Sequence, residues 1–225
     1  MIVPPEIEAL PNGQWIVAAD THLGAWARQH GSIVTDPCLF RFLHPFLQGV
    51  RTVWDIGANI GDHTRQYLDW GMDVVAVEPD PLAFLCLKHN CPAARCYNAA
   101  ASEAPDALRF RRLENVGASR IDPAGDILVP AIAMDLEWLP VPGFVKIDVE
   151  GWEPQAMRGM ERTLKRYKPL VFVEINKGAL EANGHTDKSV TDILTGLGYE
   201  DFTIYPAGAA WGDPQFDILA KPPRA

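Results

Sequence analysis

The sequence predicts an α/β protein in which helices cover both faces of a mostly parallel β-sheet. From residue 52 onward, short and continuously apolar segments such as 53–56 and 74–77 alternate with helical segments. Strands that are apolar throughout, without a polar face, are typical of parallel sheets buried on both sides. The length of 225 residues fits one domain with an appendage. A hydrophobic fraction of 48% is ordinary for a globular protein with a full core.

The first fifty residues are predicted to form an N-terminal extension, 1–50, ahead of the main domain, 51–225. A strand-like segment at 15–17 comes first. Asp36 followed by Pro37 is the order expected for an N-cap and the first residue of a helix. The extension carries no motif that indicates a function of its own.

The elements of the main domain follow from the spacing of its apolar residues. Strands are expected at 53–56, 74–77, 95–98, 144–147, 170–173, 199–205 and 216–220, and helices at 62–70, 81–90, 154–167 and 187–197. Residues 103–139 interrupt the alternation with two strand-like segments around a polar loop that contains glycine. We interpret them as a hairpin insertion ahead of the strand at 144–147.

The charge and hydropathy of the chain argue against two classes of partner. Twenty Lys and Arg stand against 29 Asp and Glu, for a net charge of −9. The chain therefore lacks the cationic surplus that binds a nucleic-acid backbone, and Arg109, Arg111 and Arg112 are interpreted as a solvated strand face. No apolar run approaches the roughly 20 residues that span a bilayer. Neither a nucleic acid nor a membrane is expected as a partner.

The N-terminal sequence and the cysteines indicate a cytoplasmic protein. Residues 1–6 lack the basic stretch and apolar core of a secretory signal. The four cysteines match no zinc-binding spacing and include no Cys-x-x-Cys. They are expected to be reduced and mostly buried thiols.

The strongest functional signal is a glycine-containing turn, 55–61, that directly follows a predicted strand and precedes a predicted helix. Its sequence is Asp-Ile-Gly-Ala-Asn-Ile-Gly. Gly57 and Gly61 allow the backbone to approach a ligand closely, and Asn59 is of a residue type that tolerates a left-handed conformation. Such a turn delivers a helix N-terminus to a ligand at the carboxyl edge of the sheet.

A second signal is Glu78, at the end of the next predicted strand. An acid about 20 residues past such a turn is placed to accept hydrogen bonds from ribose hydroxyls. Together, the turn and Glu78 indicate an adenosine-containing ligand. The Gly-x-x-x-x-Gly-Lys-Ser/Thr and Gly-x-Gly-x-x-Gly patterns are both absent, which disfavours an ATPase of that type and an NAD-dependent oxidoreductase.

A third signal is the segment Lys-Ile-Asp-Val-Glu-Gly-Trp-Glu at 146–153. It puts three carboxylates, with Asp148 first, at the sheet edge where the turn is predicted to lie. In combination with Asp-x-Gly-x-Asn-x-Gly at 55–61, this segment resembles the FkbM family of S-adenosylmethionine-dependent methyltransferases. The resemblance covers roughly residues 52–176.

The resemblance implies a Rossmann-like class I methyltransferase fold, with a seven-stranded, mostly parallel sheet and an antiparallel last strand. It also implies methyl transfer from S-adenosylmethionine, which leaves S-adenosylhomocysteine, usually to a hydroxyl oxygen of a sugar or natural product. A hydroxyl-bearing small molecule is therefore the expected partner. N- or C-methylation on the same fold and a non-catalytic module that binds the cofactor are the alternatives.

Carried over by position, the resemblance implies cofactor contacts in several segments. The turn and the start of its helix would hold the methionine part, Glu78 the ribose, and Asn98 and Ala100 the adenine. The cofactor-binding residues expected in this way are Asp55, Gly57, Ala58, Asn59, Gly61, Thr64, Glu78, Asn98, Ala100 and Asp148.

A hydroxyl acceptor needs a proton-accepting side chain near the methyl donor. Asp148 is the first candidate for this base, Glu174 is the second and His63 is the third. A histidine at this position more often packs or contacts the cofactor. Asp148, Glu174 and Asn176 would be three oxygen ligands for a hard cation such as magnesium, but their spacing alone does not establish a metal site.

The inserted segment is expected to contribute to the acceptor pocket. It leaves the sheet at the edge where the cofactor is predicted, and its loop carries Ser119 and Arg120. We therefore expect the insertion to fold over the cofactor and to help form the pocket for the acceptor.

Overall fold

The structure is a computed structural model that describes residues 3–34, 36–206, 209 and 213–223. In chain order, its strands are β1 (Ile7–Ala9), β2 (Trp15–Val17), β3 (Thr52–Ile56), β4 (Asp73–Val77), β5 (Arg95–Tyr97), β6 (Ala100–Ala101), β7 (Asp106–Arg111), β8 (Arg120–Ile121), β9 (Ile127–Ile132), β10 (Phe144–Ile147), β11 (Leu170–Asn176), β12 (Asp201–Tyr205) and β13 (Gln215–Lys221). Its helices are α1 (Leu23–His30), α2 (Pro37–Leu43), α3 (Asp62–Asp69), α4 (Pro81–Asn90), α5 (Glu153–Arg158), α6 (Glu161–Tyr167), α7 (Lys177–Ala182) and α8 (Asp187–Gly196). None of the described helices has the length and apolar character that a membrane crossing requires.

Seven of the described strands form the main sheet, in the order β12-β13-β11-β10-β3-β4-β5. The strands from β11 to β5 are parallel, and β13 is antiparallel to both of its neighbours. The predicted Rossmann-like sheet with an antiparallel last strand is therefore confirmed. From β3 the chain continues to β4 on one side, while β10 lies on the other side. The carboxyl ends of β3 and β10 thus frame the crevice where sheets of this kind bind ligands.

Helices cover both faces of the main sheet, as its continuously apolar strands require. In β3, Val53 packs into the core formed with α2, α3 and α4. Trp54 and Ile56 pack into the opposite core, formed with α5, α6, α7 and α8. Asp55 is the exception in this strand, since it is a fully buried carboxylate that needs compensating partners.

The N-terminal residues pack on the main domain around one buried asparagine. β1 and β2 form an antiparallel hairpin. Asn90, the last residue of α4, accepts a hydrogen bond from the Trp15 N–H (2.7 Å) and donates to the carbonyls of Trp15 and Ile60 (2.8 Å each). Ile16, Ile60 and Cys86 then share one apolar core. The segment predicted as an N-terminal cap or extension therefore shares an apolar core with the start of the main domain.

The segment predicted as a hairpin insertion forms a larger unit. β7 and β9 pair antiparallel, as a hairpin would. In addition, β8 pairs with β7 and β6 pairs in parallel with β9, which gives a small sheet of order β6-β9-β7-β8. β6 and β8 have two residues each, which is too short for an alternating pattern to show in the sequence.

The single helix predicted at 154–167 is wrong, because α5 and α6 take its place. Gly159 follows α5, and its carbonyl accepts hydrogen bonds from the N–H groups of Met134 (2.8 Å) and Asp135 (3.0 Å). A Cβ atom on Gly159 would lie 1.9 Å from the carbonyl oxygen of Ser102. The helix therefore breaks at Gly159, where the segments that follow β6 and β9 of the small sheet pack against it.

We expect Gly159→Ala to destabilise the protein by about 1–3 kcal/mol, since the new methyl group would displace the Ser102 backbone. Gly196→Ala is the matched control, because Gly196 ends α8 and no atom lies within 4 Å of its Cβ position. That change should be neutral or stabilise by about 0.4–1 kcal/mol. Urea unfolding of both variants measures the difference, and equal stability of the two would contradict the steric explanation.

Candidate active site

A cavity of about 280 Å³ lies at the carboxyl ends of β3, β4, β10 and β11. The glycine turn, the segment after β10, the insertion and the N-terminal residues all contribute to its walls. The predicted site residues that line it are Gly57, Asn59, His63, Glu78, Ala100, Asp148 and Glu174. Residues predicted from five separate segments of the sequence therefore meet at one place.

Three residues that were predicted to contact the cofactor, Ala58, Gly61 and Asn98, do not line the cavity but lie behind its wall. Ala58 is 1% exposed and packs into the core under α3. Gly61 precedes α3 with a φ of 94°. Asn98 donates hydrogen bonds from its side-chain amide to the carbonyls of Glu78 (2.9 Å) and Pro79 (3.0 Å). These residues shape the loops that line the cavity.

Gly57 is the point where the glycine turn comes closest to the segment after β10. Its φ is 79°, and a Cβ atom would lie 1.7 Å from the Asp148 carbonyl oxygen. An L side chain has no room here and would be strained at this φ. The sequence predicts that Gly57 allows the backbone to approach a ligand. In the structure, Gly57 also approaches the backbone of Asp148, at the end of the neighbouring strand.

Asp55 and Thr64, both predicted to contact the cofactor, instead bond to each other inside the protein. The Thr64 hydroxyl donates to Asp55 Oδ2 at 2.6 Å, and both residues have no exposed surface. The other oxygen, Oδ1, lies 3.7 Å from the ammonium nitrogen of Lys146. Thr64 and Lys146 together compensate a carboxylate that could not otherwise be buried.

Lys146 connects this buried carboxylate to the cavity. It pairs with Asp55 in register across β3 and β10. Its ammonium donates to the Gly57 carbonyl (3.2 Å) and lies 3.1 Å from Asp148 Oδ2. Burial lowers the pKa of Lys146, but the carboxylates of Asp148, Asp55 and Asp62 raise it more, so the net pKa lies above its usual range. Lys146 therefore remains charged and holds Asp148 at the cavity wall.

Lys146 is part of the third sequence signal but was assigned no role there, because it lies inside an apolar run that predicts a buried strand. The available signal was the lysine itself, since lysine is almost never fully buried without a partner. Lys146 and Asp148 are two residues apart, which places them on the same face of an extended chain.

Glu78, which directly follows β4, links the end of this strand to the glycine turn that follows β3. One carboxylate oxygen accepts from the Asn59 N–H (2.8 Å), and the other accepts from the Asp80 N–H (2.7 Å). Burial raises the pKa of Glu78 to about 8. Asn59 has a φ of 48°, the left-handed conformation expected for it. Glu78 thus holds the glycine turn while it faces the cavity, at the position predicted for the ribose-binding acid.

Three carboxylates face one another at the opposite end of the cavity. Oxygens of Asp148, Glu150 and Glu174 lie within 4.8 Å of one another. Burial and the neighbouring charges raise the pKa of Glu150 to about 8 and that of Glu174 well above its usual range. Asn176, considered as one of three possible oxygen ligands for a cation, donates to Glu150 (3.2 Å) and accepts from the Ala179 N–H (3.2 Å). A divalent cation would therefore take its ligands from the three carboxylates, with Glu150 in the place of Asn176.

Glu153 fixes the segment that carries Asp148 and Glu150. It is fully buried, and one of its oxygens accepts hydrogen bonds from the N–H groups of Val149 and Gly151 (3.1 Å each). Burial raises the pKa of Glu153 to about 7. The buried carboxyl group of Glu153 thus holds the backbone of the segment after β10 through hydrogen bonds.

His63 lines the cavity but packs closely against the protein. Its ring lies edge-on to Phe40, with 5.1 Å between ring centroids, and its Nε2 is 3.7 Å from an Asp62 oxygen. Burial lowers the pKa of His63 to about 4, so the imidazole is neutral at neutral pH. Among the described residues its buried Nδ1 has no hydrogen-bond partner.

Comparison with known proteins places this site in a family. The Methyltransferase FkbM domain matches residues 55–200, which include both the glycine turn and the carboxylate segment. The chain belongs to the FkbM methyltransferase family. Members of this family use S-adenosylmethionine, in agreement with the adenosine-containing ligand that the turn and Glu78 indicate.

Individual FkbM-type and related proteins resemble the chain at low identity. The hexuronic acid methyltransferase AglP of Haloferax volcanii is 28% identical over 153 residues, which cover 64% of this chain and 61% of AglP. The structure of methyltransferase FkbM from Methylobacillus flagellatus KT matches with a TM-score of 0.55 and 17% identity, over 75% of this chain and 43% of that one. The structure of a TehB-like S-adenosylmethionine-dependent methyltransferase from Corynebacterium glutamicum matches with a TM-score of 0.54 and 13% identity. This match covers 89% of this chain and 97% of that one. The chain therefore spans less than two thirds of the first two proteins, and the structural matches show a shared fold.

The polar groups that line the cavity fit S-adenosylmethionine. Two buried side-chain oxygens, Asn59 Oδ1 and Asn115 Oδ1, have no hydrogen-bond donor among the described residues, and both residues line the cavity. Such acceptors suit the ammonium and hydroxyl donors of the cofactor. The carboxylates at the far end suit its positive sulfonium.

We expect Glu153→Gln to remove part of the pH dependence of stability. An acid whose pKa is raised by folding stabilises fully below its unfolded value of 4.5, and this contribution is lost as the pH rises through about 7. Glutamine keeps the accepting oxygen, so the variant should match the wild type near pH 4.5 and unfold at a higher temperature near pH 8.

Thermal unfolding across this pH range measures the effect. Glu161→Gln is the control, because Glu161 is an exposed residue in the first turn of α6, and it should follow the wild-type profile. A lower unfolding temperature for Glu153→Gln near pH 8 would contradict the assignment of Glu153 as a costly buried charge.

Proposed function

We propose that this chain transfers the methyl group of S-adenosylmethionine to a hydroxyl oxygen of a sugar or a similar polyhydroxylated small molecule. The observation that carries the proposal is Asp148, a carboxylate that Lys146 holds at the cavity wall, directly across from the glycine turn. The likeness to AglP, a hexuronic acid methyltransferase, supports a sugar as the acceptor class.

The cofactor would lie along the glycine turn and Glu78. Glu78 would accept hydrogen bonds from the ribose hydroxyls, and Asn59 would accept from the methionine end. S-adenosylmethionine supplies, when bound, a methyl group activated by the sulfonium charge. The chain contributes alignment, because the acceptor oxygen must reach that methyl group in line with the bond that breaks.

Asp148 would accept the proton of the acceptor hydroxyl. As the hydroxyl oxygen forms its bond to the methyl carbon, the carbon–sulfur bond breaks and its electron pair stays on sulfur. The hydroxyl proton passes to the Asp148 carboxylate, whose side chain is 36% exposed toward the cavity. The buried ammonium of Lys146, 3.1 Å from Asp148 Oδ2, would orient this carboxylate so that its other oxygen can accept the proton.

Glu174 and His63 are weaker candidates for the base. Burial and the nearby Asp148 raise the pKa of Glu174, so it keeps its proton to a higher pH and is suited to donating a hydrogen bond to a second acceptor oxygen. The buried position of His63 against Phe40 favours a packing role. The cluster of carboxylates is consistent with an acceptor that carries several hydroxyls rather than an aromatic amine.

Asp148→Asn should lower turnover by about 100-fold or more, which is the usual contribution of a positioned general base. Affinity for S-adenosylhomocysteine should be unchanged, because the amide keeps the shape of the carboxylate. Turnover is measured with radiolabelled S-adenosylmethionine and simple hexosides, and affinity is measured by isothermal titration calorimetry.

Glu78→Gln is the matched comparison at the cofactor end of the same cavity. We expect it to weaken S-adenosylhomocysteine binding, because it changes the group assigned to the ribose. Equal losses of turnover and affinity in Asp148→Asn would make Asp148 a binding residue. Cofactor binding without methyl transfer to any hydroxyl acceptor would favour the non-catalytic alternative.

A further inference from the structure

Arg120 is a positively charged residue of the cavity wall whose guanidinium has no hydrogen-bond or ion-pair partner among the described residues. In the described part of the chain, Lys146 and Arg120 are the Lys and Arg side chains that line the cavity. Lys146 is occupied by Asp55, Asp148 and the Gly57 carbonyl. The guanidinium of Arg120 forms no hydrogen bond and no ion pair with a described residue. A guanidinium at a cavity wall offers a planar fork of donors to an anion.

The strand that carries Arg120 is paired and packed, so the fold determines the point from which this side chain projects. β8 pairs with β7, with Arg120 opposite Arg111 and Ile121 opposite Phe110. Ile121 and Phe110 are buried in the core of the small sheet. Side chains alternate along a strand, so Arg120 leaves β8 on the face opposite Ile121, and both side chains border the cavity.

Two buried carboxylates tie the loop before Arg120 to the cofactor side of the cavity. Arg112 donates from Nε to Asp80 (2.6 Å), and the Asp80 N–H donates to Glu78. Asp20, which is 1% exposed, accepts from the Val116 N–H at 3.3 Å. This loop is therefore held at its start, by Arg112, and in its middle, by Val116.

The charges of the cavity are arranged with opposite signs at two places. Asp148, Glu150 and Glu174 form the acidic end, where a hydroxyl would lose its proton. Burial raises the pKa of Glu150 to about 8, and the nearby charge of Arg120 opposes this rise. The two side chains form no ion pair. An anionic substituent would be attracted by Arg120 and disfavoured beside Asp148 and the two neighbouring acids, which burial keeps protonated to a higher pH.

We propose that Arg120 selects acceptors that carry a carboxylate near the hydroxyl to be methylated, as a uronic acid does. The carboxylate pairs with the guanidinium, and this pairing directs the neighbouring hydroxyl toward Asp148. The inference rests on the proposed function and narrows its acceptor class. It makes Arg120 a specificity-determining residue that does not take part in the proton transfer.

The test compares two acceptors that differ only in the carboxylate, methyl β-glucuronide and methyl β-glucoside. Binding of each to the protein saturated with S-adenosylhomocysteine is followed by saturation-transfer NMR, and kcat/KM is measured for each with S-adenosylmethionine. We expect the wild type to prefer the glucuronide. Arg120→Gln should lower its kcat/KM by about 10- to 100-fold, the size of a lost charge-assisted hydrogen bond, with the glucoside unaffected.

Arg120→Lys and Arg111→Gln are the matched variants. Lysine keeps the charge without the planar fork, so it should retain part of the preference. Arg111 lies opposite Arg120 on β7 but pairs with Asp122 at 2.8 Å, and its replacement should leave the preference unchanged.

Three outcomes overturn the proposal. They are equal binding of the two acceptors to the wild type, failure of the glucuronide to bind, and weaker S-adenosylhomocysteine binding in Arg120→Gln, which would assign Arg120 to the cofactor. Failure of the wild type to bind S-adenosylhomocysteine would instead contradict the proposed function.

Discussion

The ammonium of Lys146 is the interaction on which the rest of the site depends. It lies between Asp55 at the end of β3 and Asp148 just after β10, and it donates to the carbonyl of Gly57. These two strand ends meet where the sheet reverses its order. A buried charge must be matched there by opposite charge and hydrogen bonds. Lys146 therefore links the glycine turn to Asp148, the carboxylate proposed as the proton acceptor, and the loss of either carboxylate would leave the buried ammonium with less compensation.

Outside this centre, the cavity is completed by segments that the main sheet does not contain. Arg112 of the insertion reaches Asp80 beside Glu78, and Asp20 of the N-terminal segment reaches Val116 of the insertion. Both contacts bury a carboxylate that is satisfied by the neighbouring segment. In the proposed function, methyl transfer takes place at the sheet edge, and the insertion and the N-terminal segment form the part of the cavity wall that would contact the acceptor. This division of labour is common in folds that bind ligands at loops held by a rigid scaffold.

The sequence predicted what depends on local pattern and missed what depends on distant partners. The strands, the glycine turn and the positions of Glu78 and Asp148 followed from apolar runs and the polar residues that end them. The direction of a side chain in the first turn of α3 did not, so Thr64 was expected to contact the cofactor although it bonds to Asp55. Lys146 was hidden by the apolar run around it. The contact of Arg112 with Asp80 joins residues 32 positions apart, which no local period reveals.

The measurement that tests the central claim most directly is the unfolding free energy of Lys146→Met, obtained from denaturant titration. Removal of one partner from a buried ionic cluster costs about 3–5 kcal/mol, because the remaining charge stays buried without compensation. We predict a loss of this size, with partial recovery in the double variant Asp55→Asn/Lys146→Met, in which the buried carboxylate is gone. Wild-type stability of the single variant, or no recovery in the double variant, would contradict the role assigned to Lys146.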